Sequence, residues 1–419
     1  MNNSINKRFL ALFFVTMLAG CGVDGGSDSE PISAPTPETG SSPEPVEEFD
    51  PVLMVSEITE NVILPQYAAA ANATEAFASE TGTLSAYCDA IGTADETSAF
   101  GLVQDDWRAT MSTIQAIEMH AIGPVAENEN ALRNQILSYS AGKLSTCGID
   151  ISAILNEAGN FDVTARSLNQ RGFGAIGYAL FNSDLTHSCA SQVPETQGWN
   201  ERSEDERRIA RCNLARALAE DVASAATEVN DDWQTFGVTF SSEDNVGDSL
   251  QLLTDGIFAL DKLVKDLKLG VPLGINASCS AVACPEIVES IYSANSFANI
   301  RDNLVAFRNL FTGAEGSGFD DYIREEGFSD VSARFLDNTD AAIAIVDSAT
   351  STLHEESLSI VSDSQTSACN NAFADPDTPS DFVGCRLTGA VKRITDDLKI
   401  DFVTIVGTRI PDSAQADND

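Results

Sequence analysis

The residue types able to do chemistry are few, and their spacing is poor. Histidine occurs three times, at His120, His187 and His354. His354-Glu355-Glu356 offers ligand types, but adjacent helix residues do not face one another and cannot easily chelate one ion. That trio is predicted to be a solvated acidic face. His187, close to Asp184 and Cys189, falls in a loop and suits a surface role. His120 follows Glu118 by two, a poor spacing for a shared helical site. His-Glu-x-x-His does not occur, and no Ser-His-Asp set can be assembled. Hydrolysis has no visible machinery, so no enzyme is predicted. Gly172-x-Gly174-x-x-Gly177 fits the dinucleotide fingerprint literally. That fingerprint requires a preceding strand to bring pyrophosphate to a helix N-terminus, and residues 164–170 fit no strand. Such glycine-rich backbone instead permits close approach of another element or of a ligand. Glu118 flanks Ile114 and Ile117, so its carboxylate is either at the edge of an apolar stripe or buried with a partner such as Arg171. A cleft lined by Glu118, Arg171 and the backbone of Gly172, Gly174 and Gly177 is the expected binding site.

The elements that must position these residues are helices. Val55, Ile58, Val62, Ile63, Tyr67 and Ala70 recur at helical spacing, with a kink expected at Pro65. Phe100, Val103, Trp107, Met111, Ile114 and Ile117 form a second stripe that ends before Gly123-Pro124. Ile151, Ile154 and Leu155 mark a short third piece, and Leu214 to Trp233 a long helix. The pattern lapses over 236–247, where a domain boundary is placed. Leu253, Ile257, Leu260, Val264 and Leu267 open the second half and stop at Gly270 and Pro272. A helix start is expected at Pro285-Glu286, then a helix through Phe297 and Phe311 closed by Gly313. Further helices are expected over 331–360 and 381–405. No strand pattern of useful length occurs. The reading is all-α, with two packed bundles over 51–240 and 241–410 and a disordered tail over 411–419.

Lys7 and Arg8, an apolar run, then Leu18-Ala19-Gly20-Cys21 make a bacterial lipoprotein signal over 1–20. Acylated Cys21 is the predicted membrane anchor, and Gly22 after it favours the outer membrane, facing the periplasm. Residues 21–50, rich in Ser, Pro, Gly and acids, read as a flexible acidic tether. The chain carries 24 Lys+Arg against 64 Asp+Glu. That field opposes binding to nucleic acid and draws cations. With 43% hydrophobic residues, the acid must clothe a real core. Beyond Cys21, eight cysteines remain, consistent with up to four disulfides in an exported chain. Sequential closure is expected: Cys88–Cys147, Cys189–Cys212, Cys279–Cys284 and Cys369–Cys385.

The frame Arg171-Gly172-Phe173 and Tyr178-Ala179-Leu180-Phe181 resembles the central motif of the imelysin-like family of envelope proteins, Gly-x-His-x-x-Glu followed by an apolar run. On that pattern Gly174 stands where the His belongs and Gly177 where the Glu belongs. Trp107-Arg108 with Glu118 and Gly123-Pro124 is similar to the family's helix that runs into a Gly-Pro turn. Glu289-Ser290-Ile291-Tyr292-Ser293 is similar to its Glu-Ser-x-Tyr-Ser turn, which adds Glu289 to the candidate binding residues. The resemblance covers about residues 50–410. It implies a non-catalytic binding role linked to uptake of iron or another divalent metal, with metal-uptake components as partners. The residues themselves fix no cofactor. The alternative is a binding or scaffold module for a polysaccharide or envelope protein, favoured by two glycines that offer no ligand.

Overall fold

Every regular element among the described residues is a helix, and burial of apolar helical stripes decides how they pack. The computed structural model describes residues 49–137, 139 and 143–415. The predicted signal peptide, Cys21 and the tether to residue 48 lie outside these residues, as does the tail from 416.

Asp50 caps α1 (Pro51–Ile58) by accepting the Val52 N–H at 2.9 Å. A π-helical turn, Thr59–Ile63, joins α1 to α2 (Leu64–Ala78) without a break. Pro65 thus lies inside one continuous helical run, directly after the π turn, which is the local irregularity found where a kink was expected. After α3 (Thr83–Ala90) comes α4 (Glu96–Glu118), which buries the predicted stripe of Val103, Trp107, Met111, Ile114 and Ile117. A left-handed turn at Asn128, Glu129 and Asn130 enters α5 (Glu127–Ile136), and α6 (Thr146–Glu157) follows. Two 3-10 turns, with no strand, lead into α7 (Gly172–Phe181). The spine of this half is α8 (Glu204–Phe240), whose 37 residues span about 55 Å. A reciprocal Ser203–Glu206 capping box starts it, and α2, α5, α6 and α7 pack on it.

The second half opens with α9 (Val246–Ile257) and a π-helical segment, Leu260–Gly270. Pro285 begins only a 3-10 turn, Pro285–Ile287, not the expected helix. The chain is then extended at Val288 and left-handed at Ser290, φ 53°, so no helix can propagate. The next helix, α10 (Ser296–Thr312), ends at left-handed Gly313 as predicted. α11 (Phe319–Glu325) and α12 (Ser329–Asp347) come next. The single helix expected over 331–360 is divided, because a Thr352–Glu355 capping box starts α13 (Leu353–Ser359) afresh. α14 (Asp363–Ala374) was not legible as a helix. α15 (Val383–Asp397) continues through a π turn to Val406, and α12, α14 and the 260–270 segment pack on it. Residues 412–415 of the expected tail form a helical turn with Ala414 buried. α4 packs against α10 across the midpoint of the chain, and one apolar core runs through both halves. From Phe49 onward the chain forms one compact unit.

Four disulfides are present, and the expected sequential closure holds for two. Cys279–Cys284 and Cys369–Cys385 are as predicted. The others are Cys88–Cys212 and Cys147–Cys189, not Cys88–Cys147 and Cys189–Cys212. The correction follows from packing: α3 lies on α8, which brings Cys88 to Cys212 across 124 residues of sequence.

Candidate functional site

α4 and the 260–270 segment each carry a charge on an apolar stripe, and the two charges meet. Lys268 and Glu118 are 0% and 2% exposed, with Nζ 2.6 Å from Glu118 Oε2. The ammonium also reaches Glu289 Oε2 at 3.1 Å, Asn303 Oδ1 at 2.8 Å and Gln115 Oε1 at 2.5 Å. Gln115 Nε2 in turn donates to Glu289 Oε1 at 3.0 Å, and Arg133 stands 3.6 Å from Glu118 Oε1. A buried charge survives only when it is paired and hydrogen-bonded, and this cage supplies both. Burial raises the Glu289 carboxyl above the usual range, Lys268 opposes that rise, and Glu118 adds to it.

Glu289 is held by a strained turn. Ser290 and Ala294 both have positive φ, at 53° and 57°, where a side chain costs on the order of 1 kcal/mol or more. The turn is over-determined: Ser296 Oγ donates to the Glu289 carbonyl, Ser293 Oγ to the Ser290 carbonyl, and Asn299 Nδ2 to Ser290 Oγ.

Against this turn lies a cavity of about 270 Å³. Gly174, Gly177 and Tyr178 of α7 form one wall, Trp107 another, and Glu289 and Tyr292 a third. Gly174 and Gly177 are three apart on one helix face, so the missing side chains face the same space. Gly177 has a packing reason as well: a Cβ there would lie 2.8 Å from Trp107 Cζ2.

Of the candidate residues, Gly174, Gly177 and Glu289 line this cavity, whereas Glu118, Arg171 and Gly172 do not. Glu118 borders a separate, very small hollow beside Val125 and Arg133. The expected pairing of Glu118 with Arg171 is replaced by Glu118–Lys268 and Arg171–Asp221. Arg171 Nε and Nη2 hold the Asp221 carboxylate at 2.9 and 2.6 Å, which docks the start of α7 onto α8. Gly172, φ 76°, gives the chain a left-handed turn into α7. Lys268, Gln115 and Asn303 were missed. Their signal was a polar residue on an apolar helical stripe: Lys268 follows Val264 by four, and Gln115 follows Met111 by four.

The histidines stand apart from this site. His120 is fully buried, its Nε2 2.6 Å from Gln66 Oε1, and burial lowers its pKa to about 4. His187 lies in the 182–199 loop, where its backbone N–H donates to Asn200. His354 and Glu355 are surface residues, but Glu356 corrects the solvated reading. It is 4% exposed and accepts from the Gly384 and Cys385 N–H groups at the start of α15. Burial outweighs these bonds and pushes its carboxyl up to about 7.

A model of the imelysin peptidase family matches residues 63–375 of this sequence. The chain belongs to the imelysin family. Two solved structures have the imelysin-type fold seen here. One is an imelysin-like protein from Psychrobacter arcticum, with a TM-score of 0.61 and 14% identity over 86% of this chain and 96% of that one. The other, from Parabacteroides distasonis, is described as an iron-regulated protein A precursor. It has a TM-score of 0.56 and 14% identity over 86% of this chain and 97% of that one. No curated protein matches the sequence.

The residues at this imelysin site do not fit a metal. Gly174 and Gly177 offer no side-chain donor, and both nearby carboxylates are already engaged by an ammonium. Among the described residues, no group of three or more His, Cys, Asp or Glu side chains is placed to hold one.

Proposed function

We propose that this imelysin-family chain is a non-catalytic binding protein that takes a small organic ligand into the cavity beside Gly174 and Gly177. The observation that carries this reading is Lys268. A resident ammonium neutralises the buried carboxylates that would otherwise attract a cation, while the glycines leave aromatic-walled space. No hydrolytic role suits Glu118 or Glu289, since each is tied to Lys268, and the hydroxyls beside Glu289, on Ser290 and Ser293, bond to Asn299 and to the Ser290 carbonyl within the turn rather than to a base. The sequence further supports export and a lipid anchor at Cys21, with the acidic tether holding the folded unit off the outer membrane. A role in iron or other metal uptake is the second reading. It rests on the family resemblance and on the acidic field, which concentrates cations near the surface.

Calorimetric titration of the full chain with ferrous, ferric-citrate, zinc and cupric ions, at moderate salt to screen diffuse attraction, separates the two readings. The expected result is weak, multi-site, salt-sensitive binding. Stoichiometric binding of one metal at micromolar strength would reinstate the metal reading.

A further inference from the structure

α7 borders a second cavity. Gly174, Gly177 and Tyr178 line the first, whereas Ala179, Leu180 and Phe181 line another of about 440 Å³, bounded also by α3, α4 and the start of α8. The Cys88–Cys212 disulfide ties α3 to α8, and Tyr87 meets Phe100 of α4 at 5.0 Å between ring centres. These walls are therefore fixed before any ligand arrives, which lowers the cost of binding.

Three polar side chains in the lining lack partners. Tyr87 is 6% exposed. Its hydroxyl makes no hydrogen bond among the described residues, yet it is accessible rather than sealed, and the space that Tyr87 borders is this cavity. The amide of half-buried Gln104 is likewise accessible and unbonded. Asn182 Oδ1 accepts the Asp184 N–H at 3.1 Å, which leaves its Nδ2 open. Together they offer a hydroxyl that donates or accepts, amide donors and an amide acceptor. Apolar Phe100, Leu180, Phe181 and Leu185 complete the wall.

The two charges of the lining answer each other. Arg208 Nε lies 3.4 Å from Glu96 Oε1, Asp205 stands 2.6 Å from the same guanidinium, and Glu96 Oε2 accepts the Gly92 N–H at 2.9 Å. Neither an anion nor a cation would find an unengaged counter-charge, so burying one would be costly. At about 30 Å³ per water-sized unit, the cavity takes about fifteen non-hydrogen atoms, the size of one pyranose ring with a small substituent. Such a ring carries hydroxyls around its edge and C–H groups on its faces, which matches a wall that is largely apolar with a few convergent polar groups.

We propose that this second cavity is a carbohydrate site, and that its ligand is an uncharged pyranose such as an N-acetylhexosamine, held by Tyr87 Oη and the Gln104 and Asn182 amides. The site is independent of the reading of the first cavity. Saturation-transfer NMR of the full chain at moderate salt tests it with N-acetylglucosamine, glucosamine, glucuronate and cyclohexanol. N-acetylglucosamine should bind wild type about tenfold more tightly than Tyr87→Phe, the discrimination that about 1.4 kcal/mol gives. Gln104→Leu should weaken it similarly. Because the Tyr87 hydroxyl bonds to nothing in the protein, Tyr87→Phe should keep the wild-type thermal midpoint; if it does not fold, Gln104→Leu carries the comparison. The cationic, anionic and apolar probes should each bind more weakly than N-acetylglucosamine. Equal affinity in wild type and both variants would put the sugar elsewhere and overturn the site. Any of the other three probes binding as tightly would overturn the uncharged-sugar assignment, and absence of transfer to every probe would overturn the proposal outright.

Discussion

Lys268 and Glu118 form a solvent-sealed ion pair, 2.6 Å between Nζ and Oε2, that joins the 260–270 segment to α4. Breaking one partner of a buried pair leaves the other charge unanswered, at about 3–5 kcal/mol. Lys268→Met should therefore destabilise the fold by that amount in urea unfolding. A loss below about 1 kcal/mol would show that water reaches the cage.

Gly177→Ala sets two effects against each other. Helix propensity favours alanine by about 1 kcal/mol, whereas overpacking costs about 1–3 kcal/mol. Trp107 is clamped between Phe173 and Phe181 and cannot move aside cheaply. Net destabilisation is expected by thermal unfolding, together with a shifted Trp107 indole signal.

Two buried groups impose opposite pH dependences. Glu356 has a folded pKa of about 7, above its ordinary value of 4.5. Its contribution is full below 4.5 and lost as pH rises to 7, by about 3 kcal/mol in total. His120 has a folded pKa of about 4, below its ordinary 6.5. Its contribution is full above 6.5 and lost as pH falls to 4, by a similar amount. The two nearly cancel between pH 4.5 and 6.5. Glu356→Gln should remove one of the opposing slopes, so that stability over that window tilts upward with pH relative to wild type. Glu289 is also raised by burial and opposes the histidine, so the check is the difference: a variant whose profile is no more upward than that of wild type would contradict the raised Glu356 carboxyl.

Disulfide removal should follow loop length. Cys88–Cys212 closes 124 residues and Cys279–Cys284 only 5. Chain entropy gives about 5 and about 2 kcal/mol respectively. Paired Cys→Ala replacements at the first bridge should cost about 3 kcal/mol more than at the second, measured by denaturant midpoints under oxidising conditions.

The helical stripes of α4, α8 and α10 were legible because one face of each is apolar at regular spacing. The family frame was legible from short runs such as Arg171-Gly172-Phe173. The long-range partners were not. Nothing local ties Glu118 to Lys268, 150 residues away, or Arg171 to Asp221, 50 residues away. Glu356 looked like one more surface acid because its burial comes from α15, which arrives later in the chain. Half of the disulfide pattern failed for the same reason: local closure is guessable, whereas Cys88 meets Cys212 only once α3 has packed on α8.

The π-helical stretch from Leu260 to Gly270 bears on how such a site arises. Wider turns of this kind correspond to an extra residue accommodated within an α-helix. Each residue of an α-helix advances about 100° around the axis. A one-residue deletion within the stretch would therefore be absorbed as its turns tighten to α-helical spacing, with Lys268 still aimed at Glu118 and Glu289. The same deletion within α4, which has no such slack, would instead swing Glu118 about 100° off the cage. A change of one codon is thus tolerated on one side of the ion pair and not on the other.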